Sequence, residues 1–153
     1  MTVFMNDDAF IKKGFLISTN NVLIDVDLVY NYLNKDSYWA QGISRLQLEN
    51  AIKNSLCFGV YKHGQQAGFA RVVTDHATFA YICDVFIIPT FRKQGLSKWL
   101  IQSIVNYPSL QGLRRWSLAT ADAQGLYQKF GFSPITRPER WMEIFTPYNN
   151  KPL

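Results

Sequence analysis

The stretch from Val85 to Leu100 constrains the fold more than any other, and it reads Val-Phe-Ile-Ile-Pro-Thr-Phe-Arg-Lys-Gln-Gly-Leu-Ser-Lys-Trp-Leu. A run of β-branched and aromatic residues ends at Pro89, a short basic loop containing Gly95 follows, and an apolar helical pattern begins almost at once. A strand, a loop and a helix start in this order make an anion-binding geometry. The first N–H groups of a helix have no internal acceptor and carry partial positive charge, so a glycine-containing loop running into them wraps an anion. Arg92, Lys93 and Lys98 add full charges. Taken alone, the stretch is equally a solvated connector, because any strand-to-helix turn uses a glycine.

The spacing Arg92-x-x-Gly95-x-Ser97, after a strand ending in Ile-x-Pro, resembles the coenzyme A signature of the GNAT (Gcn5-related) N-acetyltransferases. That signature is normally Arg or Gln, two residues, Gly, one residue, then Gly or Ala. Ser97 holds the last position here; it is small, and its hydroxyl is able to donate to a phosphate oxygen. A second block, Thr120-Ala121-Asp122-Ala123-Gln124-Gly125-Leu126-Tyr127-Gln128-Lys129-Phe130-Gly131-Phe132, is similar to the later GNAT motif, a helix with an alanine and Leu-Tyr that ends in Gly-Phe. Thr120 replaces the asparagine often found seven residues before the tyrosine. The order and separation of the two blocks are specific, and the resemblance covers roughly residues 14 to 145 in layout.

The chain has 153 residues, 48% of them hydrophobic, which predicts one domain, residues 1–153, around one core. Met1 to Lys13 has no positive n-region before a sustained apolar stretch, and no apolar run approaches the length of a membrane span. The expectation is a soluble cytoplasmic protein with no membrane partner. Cys57 and Cys83 fall in expected strands without a CxxC and read as buried thiols. His63 and His76 lie in expected turns with no ligand spacing to them, which argues against a metal. A net charge of +5 and a pI near 9.3 raise the question of nucleic acid. No run of like charge and no nucleic-acid motif accompanies that charge, which argues against such a partner.

In chain order, Gly14 to Asn20 predicts a short strand closed by Asn20-Asn21. From Asp25 or Asp27, Leu28, Val29, Tyr32 and Leu33 share one helical face, which predicts a helix to about Asn34. A loop from Ser37 to Gly42 follows, and Ser44-Arg45-Leu46-Gln47 has capping-box spacing before a second helix lined by Leu48, Ala51, Ile52 and Ser55. Leu56 to Tyr61 and Gly68 to Thr74 are strands joined by the turn Lys62-His63-Gly64-Gln65, and Phe79 to Ile88 completes an antiparallel meander. Leu96, Leu100, Ile101 and Ile104 form the inner stripe of a helix ending near Tyr107-Pro108, and Arg115 to Ala119 is the parallel strand after this right-handed crossover. A helix from Asp122 to Phe130 stops at Gly131, and Trp141 to Phe145 gives a final strand. The order predicts an α/β (α+β) chain with a mixed, mainly antiparallel sheet and helices on both faces; closure as a GNAT fold is what the resemblance implies.

The resemblance also implies chemistry. In the family, acetyl-coenzyme A lies between two strands that splay apart, and its pantetheine arm pairs with exposed main chain like an added strand. Carried over, Val85, Phe86 and Ile87 pair with that arm, while Lys93, Gln94, Gly95, Leu96, Ser97 and Lys98 hold the pyrophosphate, with Arg92 opening the loop. Tyr127 matches the tyrosine that reaches the thioester sulfur in many members. A phenol of pKa about 10 protonates a thiolate of about 8.5 only uphill, by roughly 2 kcal/mol, so Tyr127 is expected to stabilise the departing thiolate by hydrogen bonding. The nucleophile is an amine of a small molecule or peptide, and a backbone N–H near Phe86 or Ile87 meets the developing oxyanion. An alkylammonium of pKa about 10.4 must first lose a proton. Asp84 is the first candidate base; a structural salt bridge with Arg71 explains Asp84 as well, and Glu143 is a weaker alternative. Cys83 has no activating neighbour in sequence. Tyr38, Trp39 and Gln41 are candidates to line the acceptor pocket, with Arg71 and Trp141 after them; the same aromatics equally suit a covered sheet edge.

Two other readings stay open from the sequence: a GNAT-like module that binds coenzyme A, protein or nucleic acid without turnover, and a basic nucleic-acid-binding α/β domain. Keeping Tyr127 together with the phosphate loop argues for catalysis. Many members of the family are dimers, so the resemblance allows a homodimer without specifying one.

Overall fold

A computed structural model describes residues 7–148. Its first element, α1 (Asp7–Lys12), has no counterpart in the sequence pattern. Six residues are too few to hold a helix alone. Phe10 supplies the tertiary reason, stacking on Trp99 at 4.4 Å and meeting Phe15 edge-on at 6.4 Å. Strand β1 (Phe15–Ser18) follows, and Asp25 then caps α2 (Val26–Asn31) by accepting from the Leu28 N–H at 3.0 Å. Rather than ending near Asn34, the chain widens into a π turn over Tyr32–Asp36. At α3 (Arg45–Lys53), Ser44 and Gln47 form the reciprocal capping box that their spacing predicts.

Strands β2 (Leu56–Lys62), β3 (Gln65–Thr74), β4 (Phe79–Ile87) and β5 (Arg115–Leu118) complete a sheet ordered β1-β2-β3-β4-β5. Pairing is antiparallel from β1 through β4 and parallel between β4 and β5. His63 and Gly64, with φ of 48° and 84°, form the tight turn between β2 and β3. Helix α4 (Leu96–Val105) makes the crossover to β5, and α5 (Gln124–Gln128) is shorter than the expected Asp122–Phe130. Helices cover both faces. Leu96, Leu100, Ile101 and Ile104 pack with Phe58, Val72, Ile82 and Tyr127 on one; Val29, Leu33, Leu48 and Ile52 pack with Cys57, Phe69 and Phe86 on the other.

One irregularity divides β4. Ile82 and Phe86 share parity along the strand yet lie in cores on opposite faces. Phe69 pairs with Phe86 and Arg71 with Cys83, so Ala70 stands opposite both Asp84 and Val85, and the extra residue inverts the alternation. Asp84 takes the left-handed conformation there, with φ of 53°.

The expected strand at Trp141–Phe145 is not formed: no strand is assigned beyond β5 among the described residues. Its apolar alternation is present, but a short turn at Pro138–Arg140 precedes it, and Trp141 is held by the Arg115 guanidinium at 4.6 Å from its ring rather than by a ladder. Met142 and Ile144 are 97% and 100% exposed. Among the described residues no helix is long and apolar enough to cross a membrane.

Candidate active site

Parallel pairing between β4 and β5 stops at Ile82 with Leu118. From Cys83 to Ile87 the strand has β3 on one side and no strand on the other. The Ile88 N–H donates to the Ala67 carbonyl at 2.8 Å, on the β3 side. Alternation therefore sends the main-chain groups of Ile87, and of Val85 before it, to the open side. Arg92 confirms the direction, donating from Nε to the Ile87 carbonyl at 2.9 Å.

The basic loop begins at this end of β4. Arg92 also donates from Nη2 to the Tyr32 hydroxyl at 3.0 Å, and the Tyr32 ring stacks on Phe86 at 3.9 Å. Lys93 and Gly95 both have left-handed backbone, φ of 62° and 84°, and Gly95 is the N-cap of α4. No side chain caps the helix. Its first internal bond runs from the Trp99 N–H to the Gly95 carbonyl at 3.1 Å, which leaves the N–H groups of Leu96, Ser97 and Lys98 without an intrahelical acceptor. Leu96 buries its side chain in the core, so it offers main chain only. Lys93, Gln94, Gly95 and Lys98 are exposed and Ser97 is half-buried. Unpaired N–H groups, alternating backbone and two free lysine charges fit an anionic group such as a pyrophosphate.

Around Asp84, just past the point where β4 loses β5, lies a cluster drawn from several parts of the chain. Asp84 is 8% exposed, and its Oδ2 accepts from Arg71 Nε at 2.7 Å while its Oδ1 accepts from Trp39 Nε1 at 3.1 Å. The ion pair with Arg71 that the sequence left open is thus formed, and Arg71 also donates to the Ser55 hydroxyl at 3.2 Å. A left-handed non-glycine residue carries strain, and here two half-buried partners hold it. Tyr38 packs edge-on against Trp39 at 5.0 Å and accepts from the Ala121 N–H at 2.9 Å. Together the two aromatics bridge from β4 to the loop after β5.

Tyr127 is buried, and among the described residues its hydroxyl makes no hydrogen bond. Burial, reinforced by Tyr38, Asp122 and Cys83, pushes its pKa up to about 12. The group stays protonated at neutral pH and keeps a proton to donate. Cys83 is likewise pushed up to about 12, first by burial and then by Asp84, and its thiol donates to the Arg71 carbonyl at 3.5 Å; it is a poor nucleophile.

Other candidates are not gathered here. Gln41 is exposed and hydrogen-bonds to no described residue. Trp141 stacks on Arg115, which is level with Phe79, so it stands about 16 Å along the strand from Asp84. Glu143 is exposed and hydrogen-bonds to no described residue. Thr120 uses its Oγ1 locally, accepting from the Ala123 N–H at 3.1 Å. Tyr32 is the residue that sequence reasoning misses: its place against Phe86 and Arg92 depends on the π turn, which no local pattern announces. Among the described residues no group of three or more His, Cys, Asp or Glu side chains could hold a metal ion.

Known proteins share this architecture. A GNAT-family protein of Xanthomonas campestris pv. campestris, 46% identical, superposes with a TM-score of 0.86 over 88% of this chain and 94% of its own. A Gibberella zeae protein, itself a candidate acetyltransferase, is 33% identical over 140 residues, covering 77% of this chain and 78% of that one. A Bacillus subtilis candidate for the N-acetyltransferase of the alanine of ribosomal protein bS18 is 33% identical over 129 residues, 75% of this chain and 79% of its own. The sequence pattern of the Acetyltransferase (GNAT) family matches residues 26–132, and the chain belongs to that family.

Proposed function

We propose that the chain, as one domain, is an acetyl-coenzyme A-dependent N-acetyltransferase that acetylates a primary amine of a small molecule or peptide by direct attack on the thioester. The observation that carries this reading is the one-sided half of β4 running into a loop of unpaired N–H groups, in a chain that also holds a buried, protonated Tyr127. Lys93 through Lys98 hold the pyrophosphate, and Val85 and Ile87 present main chain to the pantetheine arm. The Ile87 N–H meets the oxyanion. Bound acetyl-coenzyme A supplies the activated acyl group.

Tyr127 donates a hydrogen bond to the thiolate as it leaves. With its pKa at about 12, full transfer to a thiolate of about 8.5 is uphill by about 5 kcal/mol, so the protein's contribution is the hydrogen bond. Asp84 attracts the ammonium and orients the water that removes its proton. Through that water the proton passes on to solvent. Tyr38 and Trp39 form an aromatic wall suited to a cationic amine, with Gln41 at its rim. The name of the Bacillus relative supports adding peptide N-terminal amines to the substrates tried.

Thermal unfolding with and without acetyl-coenzyme A tests the reading first. Ligand at 100 times its dissociation constant stabilises the native state by about 2.7 kcal/mol. Thiol release in the presence of alkylamines and short peptides then identifies the acceptor. No shift at saturation would leave a non-catalytic GNAT module.

A further inference from the structure

Four aromatic rings link the two ends of the basic loop, and two of them, Phe10 and Phe15, lie outside the residues 26–132 that the family pattern matches. Phe91 stands just before Arg92, and Trp99 sits in the first turn of α4. Phe15 meets Phe91 edge-on at 6.3 Å, Phe10 stacks on Trp99 at 4.4 Å, and Phe10 meets Phe15 at 6.4 Å. The contacts run without a break from one end of the loop to the other. Phe10 also reaches the loop itself, because its Cζ lies 3.6 Å from where a Cβ on Gly95 would stand. Polar bonds hold only the entrance: Arg92 Nε donates to the Ile87 carbonyl, and Gln94 Nε2 donates to the Phe91 carbonyl at 3.1 Å. From Gly95 to Lys98 no main-chain N–H donates to a described residue. Left-handed backbone at a non-glycine residue such as Lys93 persists only where its surroundings hold it.

We propose that Phe10 is a positioning residue for cofactor binding: packed on Trp99 and against Gly95, it fixes the start of α4 so that the loop is ordered before an anion arrives. Phe10 acts through the loop and not on the ligand. The unpaired N–H groups of Leu96, Ser97 and Lys98 gain most as an anion site when their geometry is set in advance, since a loop ordered only on binding charges that ordering against affinity. Helix α1 thereby contributes to cofactor binding from the opposite end of the sequence to α5. The inference rests on the reading of the loop as the pyrophosphate site. Were Phe10 a core contact alone, its loss would lower stability and leave affinity where it was.

Calorimetric titration of the full chain with acetyl-coenzyme A, well below the unfolding temperature, separates the two roles. Phe10→Ala should weaken binding about tenfold, and Phe10→Leu, which keeps bulk without the stacked ring, by less. Ile82→Ala removes core packing away from the loop and should leave affinity unchanged. Trypsin adds a readout that needs no ligand. Arg92 and Lys93 are exposed, and cleavage of the native chain after them should be about tenfold faster in Phe10→Ala than in the wild type. Full affinity in Phe10→Ala, or an equal loss in Ile82→Ala, would overturn the inference. A wild type that binds no acetyl-coenzyme A would sink the coenzyme A reading instead; the cleavage rate then decides, and an unchanged rate would overturn the positioning role as well.

Discussion

Phe79 to Ile82 and Cys83 to Ile87 are halves of one strand with different neighbours. The first half is paired on both sides, by β3 and by β5. Past Ile82 the second loses β5, inverts its side-chain alternation at Asp84 and runs into the loop that opens α4. In the first half every ladder position is already taken, so a ligand has nothing to bond without displacing a strand. In the second, main-chain groups face outward and lead into a helix start. Structure is made where the sheet is complete, and chemistry is offered where it is left unfinished.

The largest expected effect comes from exchanging the roles of the halves. Asp84→Ala leaves the half-buried Arg71 without its counter-charge and should cost about 3 kcal/mol of stability together with the catalytic rate. Ile82→Ala in the paired half should cost about 2 to 5 kcal/mol and leave acetyl-coenzyme A affinity unchanged. Urea unfolding and calorimetric titration separate the two; loss of affinity in Ile82→Ala would erase the distinction between the halves. Next is Gly95→Glu, which places a carboxylate and a side chain where φ is 84° and should weaken cofactor binding by at least about 100-fold, or 2.7 kcal/mol. Undiminished binding would remove the loop from the site.

Tyr127→Phe should lower kcat about tenfold, some 1.4 kcal/mol, with little change in cofactor affinity. Equal turnover would make Tyr127 a core aromatic. Alkaline titration gives the smallest effect. Cys57 in β2 and Cys83, where β4 loses β5, are both pushed up to about 12, chiefly by burial. The folded chain keeps these protons where the unfolded chain releases them, so their stabilisation is whole below about pH 9 and is lost as pH rises toward 12. At pH 10 each thiol should subtract about 2 kcal/mol, measured as a falling urea midpoint.

Local devices were legible in the sequence. The Ser44 capping box and the His63-Gly64 turn depend on residues a few positions apart, and both are found. Strand order and the helix after Gly95 followed from periodicity. Features set by distant partners were not. Helix α1 exists because Phe10 finds Trp99, and the bulge at Asp84 arises from a mismatch in residue count between two strands, with Arg71 and Trp39 supplying the partners. At Trp141–Phe145 the apolar alternation of a strand is present and the strand is not, because a pattern does not supply a neighbour and no described strand pairs there.

The bond from Arg92 Nε to the Ile87 carbonyl bears on which substitutions the loop tolerates. Arginine Nε and glutamine Nε2 stand the same number of bonds from Cα, and both carry an N–H. The coenzyme A signature accepts either residue at its first position, which is what this contact requires: a donor at fixed reach, with charge optional. Arg92→Gln would keep that anchor and give up only the second bond, to Tyr32.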